Sequence, residues 1–278
     1  MGVVNITPDS FSDPGECLDK DRAVEKGLEM EKQGADILDI GGESSRPGSD
    51  PVSEEEELKR IIPVIAELRK RTKILISVDT TKAKVAEEAL AAGADIVNDI
   101  SAFRFDDRMP LLVSDSGAPV ILMHMKGVPK TMQSNPYYED LYQEIRCFLE
   151  ERIATATAYG IQREKIIIDP GIGFGKSMRH NLAIINNIHF LENLDRPILL
   201  GISRKSFIGK ILNLPPQERS EGTIASAVLS VLKGAHILRV HDVECVKRAI
   251  TVAEAIMNED HATDADGRSD KEKSIQYA

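Results

Sequence analysis

The 278-residue chain contains no tryptophan, and aromatic residues make up only 4% of it. Its core must therefore be built from aliphatic side chains, and it is poor in the aromatic platforms that stack single-stranded nucleic acid. Basic residues are in the minority, since 35 Lys and Arg stand against 45 Asp and Glu and give a formal net charge of −10. This balance argues against nucleic acid as a partner, and any bound anion must be held by a few converging cations.

Cysteine and long apolar runs are also scarce. Cys17, Cys147 and Cys245 are widely spaced and have no CxxC or His-rich neighbours, which predicts inert thiols in a reducing compartment. No apolar run approaches the roughly 20 residues of a membrane helix, and the first residues do not resemble a signal peptide. We therefore expect a cytoplasmic protein that does not act at a membrane.

Eight short apolar runs alternate with longer amphipathic segments. The runs are rich in β-branched residues, as expected of parallel strands that are covered on both faces. Strands are predicted to begin at Gly2, Ile37, Ile74, Asp95, Pro119, Lys165, Pro197 and His236. Helices are predicted from about Asp19 to Gln33 and after Ser53, Thr81, Glu139, Arg179, Gly222 and Asp242. This alternation predicts an α/β fold, a single-domain (β/α)₈ barrel over residues 1–258, with an open doubly wound sheet as the alternative.

Two local signals refine this organisation. The helix-to-strand joints QGADILDI, AGADIVND and KGAHILRV each place a glycine (Gly34, Gly93 or Gly234) where a helix ends in the left-handed conformation. Residues 259–278 lack apolar periodicity and are rich in charge, which predicts a disordered tail.

Polar residues collect at the predicted carboxyl ends of the strands, where barrels of this kind form their active sites. They are Asn5, Asp79, Asn98, Asp169 and Lys205, with Arg239 and His241 on the last strand. We interpret these residues as one shared binding site. Arg239 and His241 are two residues apart, so their side chains share a face and form an anion pocket with Asn5. The alternative is a purely structural pair of Arg239 with Asp242.

The segment DPGIGFGKS nearly matches a nucleotide phosphate loop, but Pro170 stands where that loop needs a glycine. We interpret its glycines as shaping a loop after a strand whose terminal Asp169 faces a ligand. A carboxylate there suits adjacent N–H donors, such as those of a 2-amino-4-oxo heterocycle. Met123 is placed to lie under a flat ring, and His124 is interpreted as a polar strand-end residue.

Two long segments, NITPDSFSDPGE and GGESSRPGSDPVS, follow the first and second strands. Their position at the mouth of the barrel favours lids, although ordinary mobile loops have the same composition.

The motifs NITPDSFSD, GGESSRPGS, SVDT, VNDIS, DPGIGFGK, SRKSFIG and RVHDV occur in this order. From about Gly2 to His241 and into the last helix, the chain resembles the dihydropteroate synthase family. The resemblance implies a transferase of folate biosynthesis, the target of sulfonamides. Such an enzyme joins 6-hydroxymethyl-7,8-dihydropterin diphosphate to para-aminobenzoate and releases pyrophosphate. It also implies a homodimer and Mg²⁺ as cofactor.

Matching positions one by one, the resemblance implies roles for individual residues. The pterin would be bound by Asp79, Asn98, Met123, Asp169 and Lys205. The diphosphate would be held by Asn5, Arg239 and His241, with Mg²⁺ near Asn5. The aminobenzoate side would comprise Phe11, Asp13, Ser45, Arg46, Pro47, Lys205 and Ser206. Catalysis would fall to Asp13, Asp79, Asp169 and Lys205, with no residue named as a general base.

Two departures from the family pattern stand out. Pro14 precedes Gly15 where the family has Gly-Gly, which stiffens the first long segment, and the sequence begins almost at the first strand. That beginning implies either a truncated start or a less well plugged barrel floor. The rival hypotheses are a pterin-binding methyltransferase barrel, which the SRPG and SRKS segments disfavour, and a non-catalytic paralogue. The paralogue would be expected to lack Arg46, Lys205 or an anion ligand, and all are present.

Overall fold

The computed structural model describes residues 1–6, 16–44 and 48–258, with the backbone alone at residues 16–19. The predicted tail at 259–278 lies outside this range, as do residues 7–15 and 45–47. The roles predicted for Phe11, Asp13, Ser45, Arg46 and Pro47, and the effect of Pro14, therefore stay predictions.

Strands and helices alternate throughout the described part of the chain. The strands are β1 (Gly2–Asn5), β2 (Ile37–Gly41), β3 (Leu75–Asp79), β4 (Ile96–Asp99), β5 (Val120–Met123), β6 (Ile166–Asp169), β7 (Leu199–Gly201) and β8 (Ile237–Arg239). The helices are α1 (Glu16–Lys32), α2 (Glu54–Arg71), α3 (Ala83–Ala91), α4 (Met109–Ser116), α5 (Leu141–Ala158), α6 (Met178–Asn186), α7 (Ser206–Leu212), α8 (Ser220–Leu232) and α9 (Val243–Met257).

The strands close into a barrel. β1 to β6 pair in sequence order and in parallel, and β7 pairs in parallel with β8. A parallel bridge between Ile168 and Ile198 joins β6 to the β7 segment, and one between Gly2 and Val240 joins the β8 segment back to β1. The predicted (β/α)₈ barrel is confirmed, and the open doubly wound sheet is wrong because both edges are paired.

The helices differ from the prediction mainly where they are short. α4 and α7, of eight and seven residues, were not predicted. A helix of only two turns has too few residues to show a 3.6-residue period. α1 also begins at Glu16, earlier than the predicted Asp19. At the helix-to-strand joints, Gly34, Gly93 and Gly234 have φ of 93°, 111° and 105°, so the predicted left-handed helix ends are confirmed.

Two aliphatic cores hold the barrel together. The larger core lies between the strands and the surrounding helices. The smaller one, here called the barrel floor, fills the inside of the barrel at its amino-terminal end. It consists of Met1, Ile37, Ile96, Ile121, Ile167, Leu199 and Ile237. This confirms the aliphatic core expected from the composition.

Cys147 and Cys245 are free thiols, as predicted, whereas the side chain of Cys17 lies outside the described part. No helix of the described residues is both long and apolar enough to cross a bilayer.

Candidate active site

The strands turn from apolar to polar within two residues at the carboxyl end of the barrel. Because side chains alternate across a strand, a residue two positions after a floor residue faces the same interior, one layer closer to the mouth. Ile37 is followed in this way by Asp39, Ile96 by Asn98, Ile121 by Met123, Ile167 by Asp169 and Ile237 by Arg239. The strand period therefore brings the polar residues of several strands into one mouth.

Arg239 is bound to two carboxylates of neighbouring strands. Its Nε donates to Asp39 Oδ2 at 2.5 Å, and its Nη2 donates to Asp79 Oδ2 at 2.6 Å. Burial opposes the charge of Arg239, but the two carboxylates outweigh it and raise the pKa of the guanidinium. The alternative pairing with Asp242 is wrong, because Asp242 is bound by Arg204 at 2.5 and 3.0 Å.

Asp39 belongs to this mouth and was missed in the sequence. Its side chain is fully buried, and besides Arg239 it accepts a hydrogen bond from Asn98 Nδ2 at 3.3 Å. The signal was present in the run ILDIGG, where a charged residue interrupts a strand that is otherwise apolar. Since a buried carboxylate requires a partner, that position alone predicts a converging cation or amide.

Two further carboxylates of the mouth are poised to titrate near neutral pH. Burial raises the pKa of Asp79 to about 7, although Arg239 acts in the opposite direction. Burial also raises the pKa of Asp169 to about 6, despite a hydrogen bond of 2.6 Å from the Gly171 N–H to its Oδ1. Perturbed carboxyl groups in a concave mouth are typical of functional sites.

Lys205 lies at the start of α7, directly after the β7 segment. Its Nζ lies 4.4 Å from the centre of the Phe174 ring, which gives it a cation–π contact. Burial and the neighbouring Arg239 lower the pKa of the Lys205 ammonium to about 8, while Asp169 acts in the opposite direction. Lys205 is therefore a cation that faces a carboxylate across the mouth.

The loop after β6 has the shape that its glycines suggest. Gly171, Gly173 and Gly175 all have left-handed φ, at 72°, 87° and 64°. A Cβ on Gly171 would lie 1.9 Å from the carbonyl oxygen of His124, so no other residue fits there.

The lysine of the same motif points inward rather than to a phosphate. Lys176 is almost fully buried, and its Nζ lies 2.9 Å from His124 Nδ1 and 3.0 Å from the carbonyl oxygen of Phe174. Burial lowers the pKa of Lys176 to about 7 and that of His124 well below its usual value. His124, predicted as a polar strand-end residue, thus ties β5 to the loop after β6.

One wall of the mouth is apolar. Met123, Met125, Met132 and Phe174 form a buried cluster against Ile100. Flexible methionine side chains with polarizable sulfur suit the face of a flat ring.

His241 and Asn5, two residues of the predicted anion pocket, each have defined neighbours. His241 contacts Ser203, with its Nδ1 3.0 Å from the hydroxyl oxygen and its backbone N–H donating to the same oxygen. Burial and the charges of Arg239 and Arg204 lower the pKa of His241 to about 3, so its imidazole is neutral at pH 7. Asn5 ends β1 beside Gly41, the last residue of β2. Ser206 is exposed at the first position of α7.

A protein-built metal cage is not found in the part of the chain that the structure describes, which has no group of three or more His, Cys, Asp or Glu arranged for a metal ion. Asn5 offers one neutral amide oxygen. Mg²⁺ commonly binds through one or two protein groups together with substrate phosphates and water. Asn5 therefore fits a magnesium ion that arrives with a diphosphate.

Comparison with known proteins finds a family match along most of the chain. The model of the family described as pterin binding enzyme matches residues 1–241. The dihydropteroate synthase of Synechocystis sp. is 48% identical over 257 residues, which cover 92% of this chain and 89% of that protein.

Solved structures give the same result. A Yersinia pestis dihydropteroate synthase with a sulfonamide drug complex has a TM-score of 0.88 and 44% identity, covering 93% of this chain and 94% of that one. A Xanthomonas albilineans dihydropteroate synthase in complex with 7,8-dihydropteroate has a TM-score of 0.84 and 42% identity, covering 92% of each chain.

Proposed function

The chain belongs to the dihydropteroate synthase family of pterin-binding enzymes, and from this premise we propose how its site works. The enzyme joins 6-hydroxymethyl-7,8-dihydropterin diphosphate to para-aminobenzoate, and dihydropteroate and pyrophosphate are the products. The observation that carries the proposal is the convergence of two cations, Lys205 and Arg239, with the partly buried carboxylate of Asp79 and the buried carboxylate of Asp169 at one barrel mouth.

The pterin ring binds in the deepest part of the mouth. Asp169 accepts from its amino and ring N–H groups, and Lys205 donates to its ring oxygen and nitrogen. Asp79 and Asn98 complete the polar edge, while Met123 and Phe174 pack on the ring face. This assignment is supported by the burial of Asp169 and by the apolar cluster beside it.

The diphosphate binds above the ring, at Asn5, Arg239 and His241. Arg239 commits two of its five N–H donors to Asp39 and Asp79, so donors remain for phosphate oxygens. His241 acts as a neutral donor there, since its pKa is lowered. A bound Mg²⁺, held by Asn5 and the diphosphate, would neutralise charge that develops on the leaving group.

The reaction begins with cleavage of the bond between the pterin methylene carbon and the diphosphate oxygen. The oxygen leaves with both electrons of that bond, and Arg239 stabilises its charge. The methylene cation that remains is stabilised by the carboxylates of Asp79, Asp169 and Asp13. The amino nitrogen of aminobenzoate then attacks the carbon and loses a proton to solvent, so no general base is required.

Aminobenzoate binds at the outer side of the mouth. Ser206, exposed at the first position of α7 and next to Lys205, supports this placement. Phe11, Asp13, Ser45, Arg46 and Pro47 complete this side by resemblance to the family.

The direct test is to combine purified protein with the pterin diphosphate, Mg²⁺ and aminobenzoate, and to measure pyrophosphate and dihydropteroate. Both products should form in equal amounts, and omission of aminobenzoate should abolish dihydropteroate. Tight pterin binding without either product would instead indicate the non-catalytic paralogue. Methyl transfer from a methylated pterin would indicate the methyltransferase alternative.

A homodimer is the second part of the proposal. Helices α6, α7 and α8 pack together and expose Met178, Leu182, Ile211, Leu212, Leu229 and Leu232. Exposed apolar side chains on helices that pack together are typical of an interface, and isologous dimers are the commonest assembly. Sedimentation of the native chain and of Leu229→Glu tests this, since the charge should favour the monomer. Residence in the cytoplasm stays a prediction from cysteine usage.

A further inference from the structure

We propose that Asp39 is a positioning residue that holds Arg239 and Asn98 in the geometry required for the pterin diphosphate. The inference rests on the proposed function, because it assigns Arg239 to the diphosphate and Asn98 to the pterin. Asp39 itself lies in the middle of β2, and its side chain is fully buried. It therefore acts through these two residues rather than on the substrate.

The contacts of Asp39 join the two halves of the substrate site. One oxygen accepts from Arg239 Nε at 2.5 Å, and the Asn98 amide lies 3.3 and 3.4 Å from the two oxygens. Arg239 also donates from Nη2 to Asp79. The edge of the guanidinium formed by Nε and Nη2 is thus fixed by two carboxylates, and Nη1 is directed away from that edge. A guanidinium held in one plane loses less conformational entropy when it binds a phosphate.

The charge of Asp39 allows a test in which the direction of the change in pyrophosphate affinity decides the inference. As a charge alone, a carboxylate beneath a diphosphate repels it, so neutralising Asp39 would strengthen pyrophosphate binding. As the residue that fixes Arg239, its loss lets the guanidinium leave the required orientation and weakens binding. The two effects predict opposite changes in one measured dissociation constant.

The neighbouring strand supplies a matched control. Ser77 lies opposite Asp39 in the register of β2 and β3, and it is equally buried. Within the part of the chain that the structure describes, its hydroxyl has no hydrogen-bond partner. Ser77→Ala therefore changes a polar side chain in the same layer without touching Arg239 or Asn98.

The experiment is a calorimetric titration of the native chain with pyrophosphate in the presence of Mg²⁺. Asp39→Asn should weaken binding about tenfold, a size typical of coupled neighbours, and Ser77→Ala should leave it unchanged. In an Arg239→Ala background, Asp39→Asn should no longer weaken pyrophosphate binding, because only its charge effect remains. Tighter binding by Asp39→Asn, or a full effect without Arg239, would overturn the inference.

A measurement on the wild type keeps the inference testable if Asp39→Asn does not fold. The side-chain Nε–H signal of Arg239, assigned by its loss in Arg239→Ala, should stay protected from solvent exchange when pyrophosphate binds. Loss of that protection would mean that Arg239 leaves Asp39, which contradicts the inference. The proposed function fails separately, through a wild type that forms no dihydropteroate.

Discussion

The floor and the mouth of this barrel are built on the same strands, yet they follow opposite rules. The floor contains Ile96, Ile121 and Leu199, which are buried and carry no polar side-chain atom. The mouth, two residues further along several of these strands, contains Asp39, Asn98, Asp169 and Arg239. A step of two residues along the strand separates a layer whose side chains make only apolar contacts from a layer whose side chains require polar partners.

This contrast separates stability from chemistry. Apolar burial in the floor stabilises the fold, at about 25 cal/mol per Å² of apolar surface removed from water. In the mouth, burial raises the pKa of Asp79 and Asp169 and lowers that of Lys205, so each neutral form gains relative to the charged form. The mouth therefore holds charges that the fold alone would disfavour. Variants of the two layers should separate activity from stability.

The largest expected effect is on activity, in the mouth. Lys205→Ala and Asp169→Ala should each lower kcat/KM by about 10³-fold, because each removes a group that stabilises the bound pterin or its cation. The free energy of unfolding should change little in either variant, because removal of a desolvated charge offsets the lost contact with Phe174 or the lost hydrogen bond from Gly171. Pyrophosphate release and urea unfolding measure the two properties on the same preparations.

A lysine on the same helix provides the control for that prediction. Lys210, exposed in the last turn of α7, is replaced by alanine in the same way and should retain full activity. Near-normal product formation by Lys205→Ala would remove Lys205 from the mechanism.

The floor should respond in the reverse way. Ile121 is fully buried, so Ile121→Ala should cost about 2–5 kcal/mol of unfolding free energy, with kcat per folded molecule retained. Ile167 is only half buried, so Ile167→Ala should fall at about the lower end of that range. Urea denaturation gives both values. A loss of kcat in Ile121→Ala at unchanged stability would break the separation between the layers.

The sequence predicts the strands and the convergence of their ends for a simple reason. Parallel strands buried on both faces are continuous apolar runs, and barrel topology places every carboxyl end at one mouth. Asn98, Asp169 and Arg239 could therefore be assigned to one site without coordinates. The short helices α4 and α7 could not be predicted, because seven or eight residues are too few to show a helical period.

The partners of the charged residues could not be predicted in the same way. Asp242 is three residues from Arg239 in the chain, yet the guanidinium binds Asp39, which is 200 residues away. Lys176 stands in a motif that resembles a phosphate loop, but it turns inward to His124. Pairing depends on which side chains share one layer of the closed barrel. The members of a layer follow from the register of all the strands, and a single sequence does not give that register.

The smallest expected effect is a pH dependence of stability. It measures how much the buried carboxylate of Asp169 lowers the unfolding free energy. The pKa of Asp169 is raised to about 6 in the folded protein, whereas an unfolded aspartate titrates near pH 3.9. Between these values the folded state binds more protons than the unfolded state, so the unfolding free energy falls as pH rises. Asp169→Asn lacks this titration and should be more stable than the wild type at pH 7, by up to about 3 kcal/mol.

The difference in unfolding free energy between Asp169→Asn and the wild type should grow mainly between pH 4 and pH 6, since that window lies between the two pKa values. Urea denaturation of both proteins at intervals across this range measures it. Asp115→Asn, which removes an exposed carboxyl on α4, is the control for a general effect of charge. If the difference in unfolding free energy stays constant across this pH window, then burial of the Asp169 carboxylate does not destabilise the fold. The contrast between floor and mouth would then be one of chemistry alone.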